Sequence, residues 1–463
     1  MPESSTRHRG HPTSWPSSLD APRRSAALFV ARDVAIRAAD RNLIAQSLPR
    51  ARRQTRYPES VRWSPWGLSG GSAGIALMCS YLDQCLPGEG WDAIGHGFLA
   101  EGADALGHGG PTHPGLFDGL SGFAFAVDSL SRNGVRYQRM LGAVDEMLVP
   151  QAAAAAARLD VDVDVDVDVD VGVGVDGMPT SAFDTIYGAS GVAAYLLRRD
   201  AFGSLPPILT GLVRRSEPDA HGAPRWATPP ELLATEPLRR AYPSGQINCG
   251  LAHGIPGPLA VLSLALSAGH EVPGQVEAVR ALARWLLAQR VDDAWGGSWP
   301  DAIPLTSDGR AASLRTSVAT RGAWCYGNPG VARSLWLAGE ALDDDELRRS
   351  AVEGVMSVLR RPVERRYLSS PTYCHGVAGL LNVVLRFARD TASRPLDDAV
   401  TALVDQLLVA YDPELPFGYA SLEAGEAPVD RAGLLSGAAG VAMVLMAAAA
   451  GVEPAWDRMF LLS

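Results

Sequence analysis

The chain has 463 residues, 47% apolar and 20% charged, with a net charge of −10. That is the balance of a globular protein, and an acidic chain without a basic stripe argues against nucleic acid as a partner. The cationic residues are all arginine, so neither a Schiff-base lysine nor a phosphate-loop lysine is available.

The chain begins "MPESSTRHRGHPTSWPSSLDAPRR", rich in Ser, Pro and Arg and without the apolar stretch of a signal peptide. Residues 1–25 read as a disordered arm, and residues 26–463 as the folded domain. No uninterrupted apolar run is long enough to span a bilayer. The expected location is the cytoplasm. Five widely spread cysteines (Cys79, Cys85, Cys249, Cys325 and Cys374) do not read as a disulfide framework in that compartment. Metal ligation or burial suits them better.

From residue 71 onward a Gly-x-x-Gly element recurs seven times, each heading an Ala- and Leu-rich run. The elements begin at Gly71, Gly119, Gly188, Gly254, Gly327, Gly376 and Gly437, at spacings of 48, 69, 66, 73, 49 and 61 residues. Glycine pairs allow a tight loop to feed a helix, and the runs behind them favour helix. Intervening segments such as 276–290 and 397–410 carry apolar residues at helical spacing. A repeat of about 60 residues thus fits two helices joined by loops. The helix after each glycine pair is apolar nearly all round, as in an inner, doubly packed position, while the intervening helices are amphipathic and belong outside. An open solenoid needs polar capping repeats. The last repeat, "LLSGAAGVAMVLMAAAA", is as apolar as the middle ones. The expected fold is therefore all-α, a closed α/α toroid of seven hairpins with its glycine loops at one rim.

Residues 160–176, alternating Val and Asp, have the period of a strand and no sheet to join. They read as a solvated insertion between repeats; calcium binding by the Asp row is the competing reading.

A purely structural repeat needs only glycines and apolar residues in its loops, so polar departures are informative. They are Asp118 in the second element, Asp184 and Tyr187 in the third, and Asn248, Cys249 and His253 in the fourth. The fifth, "RGAWCYGNPG", carries Arg321, Cys325 and Tyr326, and the sixth, "TYCHGVAG", carries Cys374 and His375. Cys325 and Cys374 each stand two residues before the first glycine. If neighbouring repeats meet at one rim, Cys325, Cys374 and His375 converge. Two thiolates and one imidazole make a tetrahedral zinc site with one position open, the pattern of a catalytic zinc. The competing reading is two buried small hydrophobes and a core histidine.

"WCYGNPG", "CHGVAG", "NCGLAHGIPG", "GLSGGSAG" and "GLLSGAAG" resemble the lanthionine synthetase C-like family, the lantibiotic cyclases, and the resemblance covers nearly all of residues 60–463. It implies a toroid of seven inner and seven outer helices, with one zinc per chain on Cys325, Cys374 and His375. It implies addition of a peptide cysteine thiol to dehydroalanine or dehydrobutyrine in a dehydrated precursor peptide of leader plus core. With no long N-terminal region to hold a dehydratase, the expectation is a stand-alone cyclase served by a separate dehydratase and transporter. His253 matches the family's catalytic histidine and Asp184 the aspartate beside it. Arg321 and Tyr326 match residues lining its site. An imidazole suits proton transfer near neutral pH, and an arginine suits an enolate oxygen. Asp184 as a helix N-cap and Tyr326 as packing are the structural alternatives. The functional alternative is a related zinc- and thiol-binding protein, of the glutathione-binding kind, that closes no rings. The loop 292–300 either lines the cleft or packs its two Trp on the barrel.

Replacing residues 160–176 with a short Gly/Ser linker is expected to leave the melting temperature and zinc content unchanged, since insertions between repeats are tolerated. A large fall in melting temperature would make the segment part of the fold.

Overall fold

The computed structural model describes residues 15–111, 113–160, 177–217, 225–313, 320–423 and 427–463. The helices in chain order are α1 (Ala21–Ala38), α2 (Arg41–Gln54), α3 (Ser72–Cys85), α4 (Trp91–Gly107), α5 (Leu120–Leu130), α6 (Gln138–Arg158), α7 (Ala189–Leu196) and α8 (Leu205–Ser216). They continue with α9 (Glu236–Ala241), α10 (Pro256–Ser267), α11 (Gln275–Ala288), α12 (Asn328–Leu342), α13 (Asp345–Arg360), α14 (Val377–Thr391), α15 (Arg394–Ala410) and α16 (Ala438–Ala449). Each glycine pair opens an inner helix: α3, α5, α7, α10, α12, α14 and α16. Consecutive inner helices pack side by side, and α16 returns to α3, which closes the ring. Every residue of α16 is buried, as an inner wall requires.

The outer partners are α4, α6, α8, α11, α13 and α15, and for α16 the partner is α1 from the other end of the chain. In α1, Ala27, Ala31, Val34, Ala35 and Ala38 form the buried face. The boundary at residue 25 is therefore corrected. The helix starts at Ala21 with Asp20 capping it, Trp15 is buried, and the Ser17 hydroxyl donates to the Ala448 carbonyl at 2.6 Å. Small apolar residues at helical spacing run through 27–38, and an Asp before Ala-Pro marks a helix start. Those signals outweigh the Ser/Pro composition upstream. Residues 1–14 of the expected arm, and 161–176 of the Val-Asp insertion, lie outside the described residues.

Short strands decorate the loops: β1 (Ala227–Thr228), β2 (Gln246–Asn248), β3 (Val291–Asp293), β4 (Gly296–Ser298), β5 (Ala302–Pro304), β6 (Ser421–Leu422) and β7 (Pro428–Val429). An antiparallel β1–β2–β5 sheet holds the loop entering α10, pairing Asn248 with Ala302. The loop 292–300 makes the β3–β4 hairpin, and Trp299 is buried against α11, its indole donating to the Leu286 carbonyl at 2.8 Å. This Trp serves the barrel. No helix among the described residues is long and apolar enough to cross a membrane.

The glycines have a steric cause. The second glycine of each element lies against a carbonyl six residues earlier: Leu68, Leu116, Thr185, Leu251, Trp324, Tyr373 or Leu434. The loop therefore folds back over the helix start. At the first glycine of the fifth element, Gly327, φ is +98° and an added Cβ would overlap the Arg321 carbonyl oxygen.

The other end of the barrel is filled from within by the turn at Ala455–Phe460. Phe460 stacks on Tyr373 at 3.7 Å between ring centroids and meets Trp324 edge-on at 4.9 Å. The Trp324 indole also donates to the Phe460 carbonyl at 3.0 Å. These aromatics support the rim loops from below.

Gly327→Ala is expected to cost about 3 kcal/mol or more, from combined strain and overlap. Gly142→Ala, in α6 with open space around it, is expected to be neutral or stabilising by about 0.5–1 kcal/mol. Paired denaturation curves check the contrast; equal losses would refute the steric account.

Candidate active site

The seven rim loops are tied into a closed circle by main-chain hydrogen bonds. The Ser69 N–H donates to Phe117 O (3.1 Å), Phe117 to Ile186 (3.3 Å), Thr185 to Ala252 (3.1 Å) and Ala252 to Cys325 (3.3 Å). Cys325 donates to Cys374 (3.3 Å), Cys374 to Leu435 (2.9 Å), and Leu435 back to Ser69 (3.0 Å). Apart from Thr185, each donor stands two residues before the first glycine of its element. The circle therefore presents equivalent positions of all seven repeats to one centre.

At that position the fifth and sixth repeats carry Cys325 and Cys374, and His375 follows. Their ligand atoms all lie within 4.8 Å of one another, the three groups converging as expected. The donor set fits zinc: with bonds of about 2.0–2.3 Å, tetrahedral ligands sit roughly 3.3–3.8 Å apart, a small inward adjustment from this spacing. Burial, with Arg321 and Arg431, holds the His375 imidazole below its ordinary pKa and so neutral, the form that ligates. A shared hydrogen bond with Cys325, and then burial, push the Cys374 thiol well up, while Arg321 opposes them. A divalent cation reverses that balance by displacing the thiol proton. The starts of α12 and α14 lie just behind these residues, and their dipoles favour negative charge there.

His253 stands on the fourth loop. Its Nδ1 lies 2.6 Å from Asp184 Oδ2, and Asp184 is wholly buried. An ionised carboxylate accepts only, so Nδ1 carries a proton, and in the neutral imidazole Nε2 is then the acceptor. Asp184 Oδ1 accepts the N–H groups of Tyr187 (2.7 Å) and Gly188 (2.8 Å) at the entrance to α7. Asp184 is therefore not the helix N-cap, a position that Gly188 holds; its Oδ1 ties the turn ahead of α7 while its Oδ2 orients His253. The Tyr187 ring lies nearly parallel to the His253 ring at 6.4 Å, and Tyr326 lies 6.3 Å away on the other side.

The Tyr326 hydroxyl accepts from Asn248 Nδ2 at 3.0 Å, and burial pushes its pKa up, so it stays a phenol. Arg321 is exposed, with its charge acting on Cys374, His375 and Asp301. Asp118 accepts a hydrogen bond from the Ser69 hydroxyl at 2.6 Å. Cys79 and Cys249 are buried; burial lifts the Cys79 and Cys85 thiols to about 12 and that of Cys249 higher still. They are structural thiols.

His113 and Arg431 were missed. His113 packs edge-on to Tyr187 at 6.3 Å, and Arg431 bears on His375. Both stand six residues before a first glycine, as do Asn248 and Arg321. Stacking the repeats in register finds them.

A family model described as lanthionine synthetase C-like protein matches residues 62–461. The chain belongs to that family. Among characterised relatives, the nisin biosynthesis protein NisC of Lactococcus lactis subsp. lactis is 22% identical over 309 residues, covering 66% of this chain and 70% of NisC. The solved structure of a nisin cyclase matches with a TM-score of 0.71 at 20% identity, covering 90% of this chain and 97% of that one. That likeness establishes the α/α toroid.

Cys374→Ala is expected to lose most of a one-per-chain zinc content by elemental analysis while keeping its helical circular dichroism, because the closed barrel has its own core. Full zinc in that variant would remove Cys374 from the ligand set.

Proposed function

We propose that the chain is a zinc-dependent lanthipeptide cyclase. It joins peptide cysteine thiols to dehydroalanine or dehydrobutyrine in a dehydrated precursor and forms lanthionine and methyllanthionine rings. The observation that carries the proposal is the convergence, on four consecutive loops, of a two-thiol, one-imidazole cluster and an aspartate-held histidine. The names and functions of the similar cyclases support it. Cys325, Cys374 and His375 would hold one zinc. When bound, zinc supplies an open ligand position that lowers the pKa of an incoming thiol to neutrality.

The remaining steps belong to the chain's own side chains. His253 accepts the thiol proton at Nε2, while the buried Asp184 carboxylate fixes the tautomer and offsets the charge. The sulfur lone pair forms the bond to the β-carbon, and the C=C π pair moves to the α-carbon and its carbonyl. Arg321 faces the enolate oxygen that results, and the Tyr326 phenol donates a hydrogen bond. His253 then returns the proton to the α-carbon. One C–S bond and one C–H bond replace an S–H bond and a π bond, so the product is an isomer and no co-reactant is needed. The expected setting is the cytoplasm, with a separate dehydratase making the substrate and a transporter exporting the product.

His253→Asn is expected to keep its zinc and slow ring closure by about 10²–10⁴-fold, the usual loss of acid–base catalysis. The assay is mass spectrometry of a dehydrated precursor after thiol alkylation, since closure changes no mass. Equal rates of thiol loss in wild type and His253→Asn would leave His253 a loop residue. A wild type that consumes no thiol would leave only the zinc- and thiol-binding reading.

A further inference from the structure

The circle of rim loops has two arcs. The fourth to sixth loops carry His253, Cys325, Cys374 and His375. The seventh, first, second and third line a cavity of about 780 Å³. Its floor is built from the same phase of the repeat that supplies the two cysteines: Leu435, Ser69, Phe117 and Ile186. Its wall comes from the segment 59–66, with Trp63 and Trp66, and from Ser47 and Leu48 of α2.

The cavity meets the chemical arc at both ends. Tyr187 lines it and lies face to face with His253. Leu435 lines it and accepts the Cys374 N–H through its carbonyl. The volume is that of a site for a drug-sized ligand, or a few residues of peptide.

Two of the charged groups in the lining, Asp430 and Arg431, are ion-paired within the chain. Asp430 is paired with Arg50 at 3.0 Å and accepts from Gln54 at 3.0 Å. Arg431 pairs with Glu423 at 3.0 Å and donates to Ser60. Asp118 accepts from Ser69, and Arg62 donates to the Glu59 carbonyl at 2.8 Å. Beside these pairs the lining offers an occupant the part-exposed aromatic and aliphatic surface of Leu48, Trp63, Trp66, Tyr187 and Leu435. Among the described residues Glu59 and Arg62 of the lining make no ion pair but are of opposite sign, so neither charge of ligand is favoured, whereas an uncharged apolar one gains by burial.

We propose that this cavity is a substrate subsite that holds an uncharged, apolar stretch of the peptide flanking the two residues being joined. Its occupant anchors the chain while the adjacent cysteine and dehydro residue reach the chemical arc. The inference rests on the cyclase reading, and it predicts a substrate preference that the metal and His253 do not supply.

The test uses two synthetic peptides sharing a dehydroalanine and a cysteine two residues apart. One is flanked on both sides by Leu-Ile-Leu, the other by Ser-Gly-Ser. Fluorescein-labelled versions with serine in place of dehydroalanine report binding alone by anisotropy, whether or not rings close. Wild type is expected to bind the apolar peptide at least ~10-fold more tightly, as burial of a few apolar side chains predicts, and to cyclise it with a correspondingly higher kcat/KM. In Trp63→Ser and, separately, Leu48→Ser, both ratios should fall toward one. Equal binding of the two labelled peptides by wild type overturns the proposal. A preference that survives in both variants overturns it too, because the apolar stretch then binds elsewhere. A binding preference without ring closure of either dehydrated peptide would sink the cyclase reading and leave the apolar site standing.

Discussion

The main-chain circle that joins the seven rim loops is the constraint on which the rest of the molecule depends. Each loop donates one N–H to the carbonyl of the next and the last returns to the first, so no loop edge is left unpaired. The glycine pairs make this possible. Without side chains, they let each loop lie directly on the start of its inner helix and hold its peptide groups level with its neighbours'. The packed turn at 455–460 supports the circle from the far side through Trp324 and Tyr373. Closure also recruits the N-terminal helix α1 as outer partner of α16, so the two ends of the chain complete one pair.

A circle of equivalent loops turns repeat phase into spatial address. Cys325 and Cys374 are 49 residues apart in sequence and share a hydrogen bond because they occupy the same phase of adjacent repeats. The position one residue later reads Gly70, Asp118, Tyr187, His253, Tyr326, His375 and Ser436 around the rim. Four consecutive loops there carry an aromatic or imidazole ring. The candidate site residues thus fall at two neighbouring positions of the repeat, with Arg321, His113 and Arg431 at a third, six residues before the first glycine. Asp184 departs from that pattern because it bridges two loops, fixing the start of α7 and the His253 ring at once.

Most of this is legible in the sequence. Glycine spacing and the fully apolar runs behind it announced seven inner helices, and an apolar last repeat announced closure. Shared phase brought the two cysteines together. The N-terminal boundary was misplaced because Ser, Pro and Arg dominate the first residues, while the buried face of α1 is mostly alanine and weak as a hydrophobic signal. His113 and Arg431 went unnoticed because each lies six residues ahead of its glycine pair, beyond the short motif. The role of Asp184 stayed open in the sequence, since a helix N-cap and a histidine partner both suit an aspartate before a glycine pair. The apolar cavity was likewise invisible, because Ile186, Phe117 and Leu435 look like ordinary core residues until the circle places them at the rim.

The backbone circle brings Cys325, Cys374 and His375 together, so metal binding, as proposed, would follow from the arrangement and not create it. Residue-resolved amide hydrogen exchange on chelated and zinc-loaded protein separates these possibilities. In both forms the N–H groups of Phe117, Ala252, Cys325, Cys374 and Leu435 should exchange together, as slowly as those of the inner helices, through global unfolding. If chelation leaves the helices protected but frees the Cys325 and Cys374 amides to exchange by orders of magnitude faster, the metal holds the loops, and the account has cause and effect reversed.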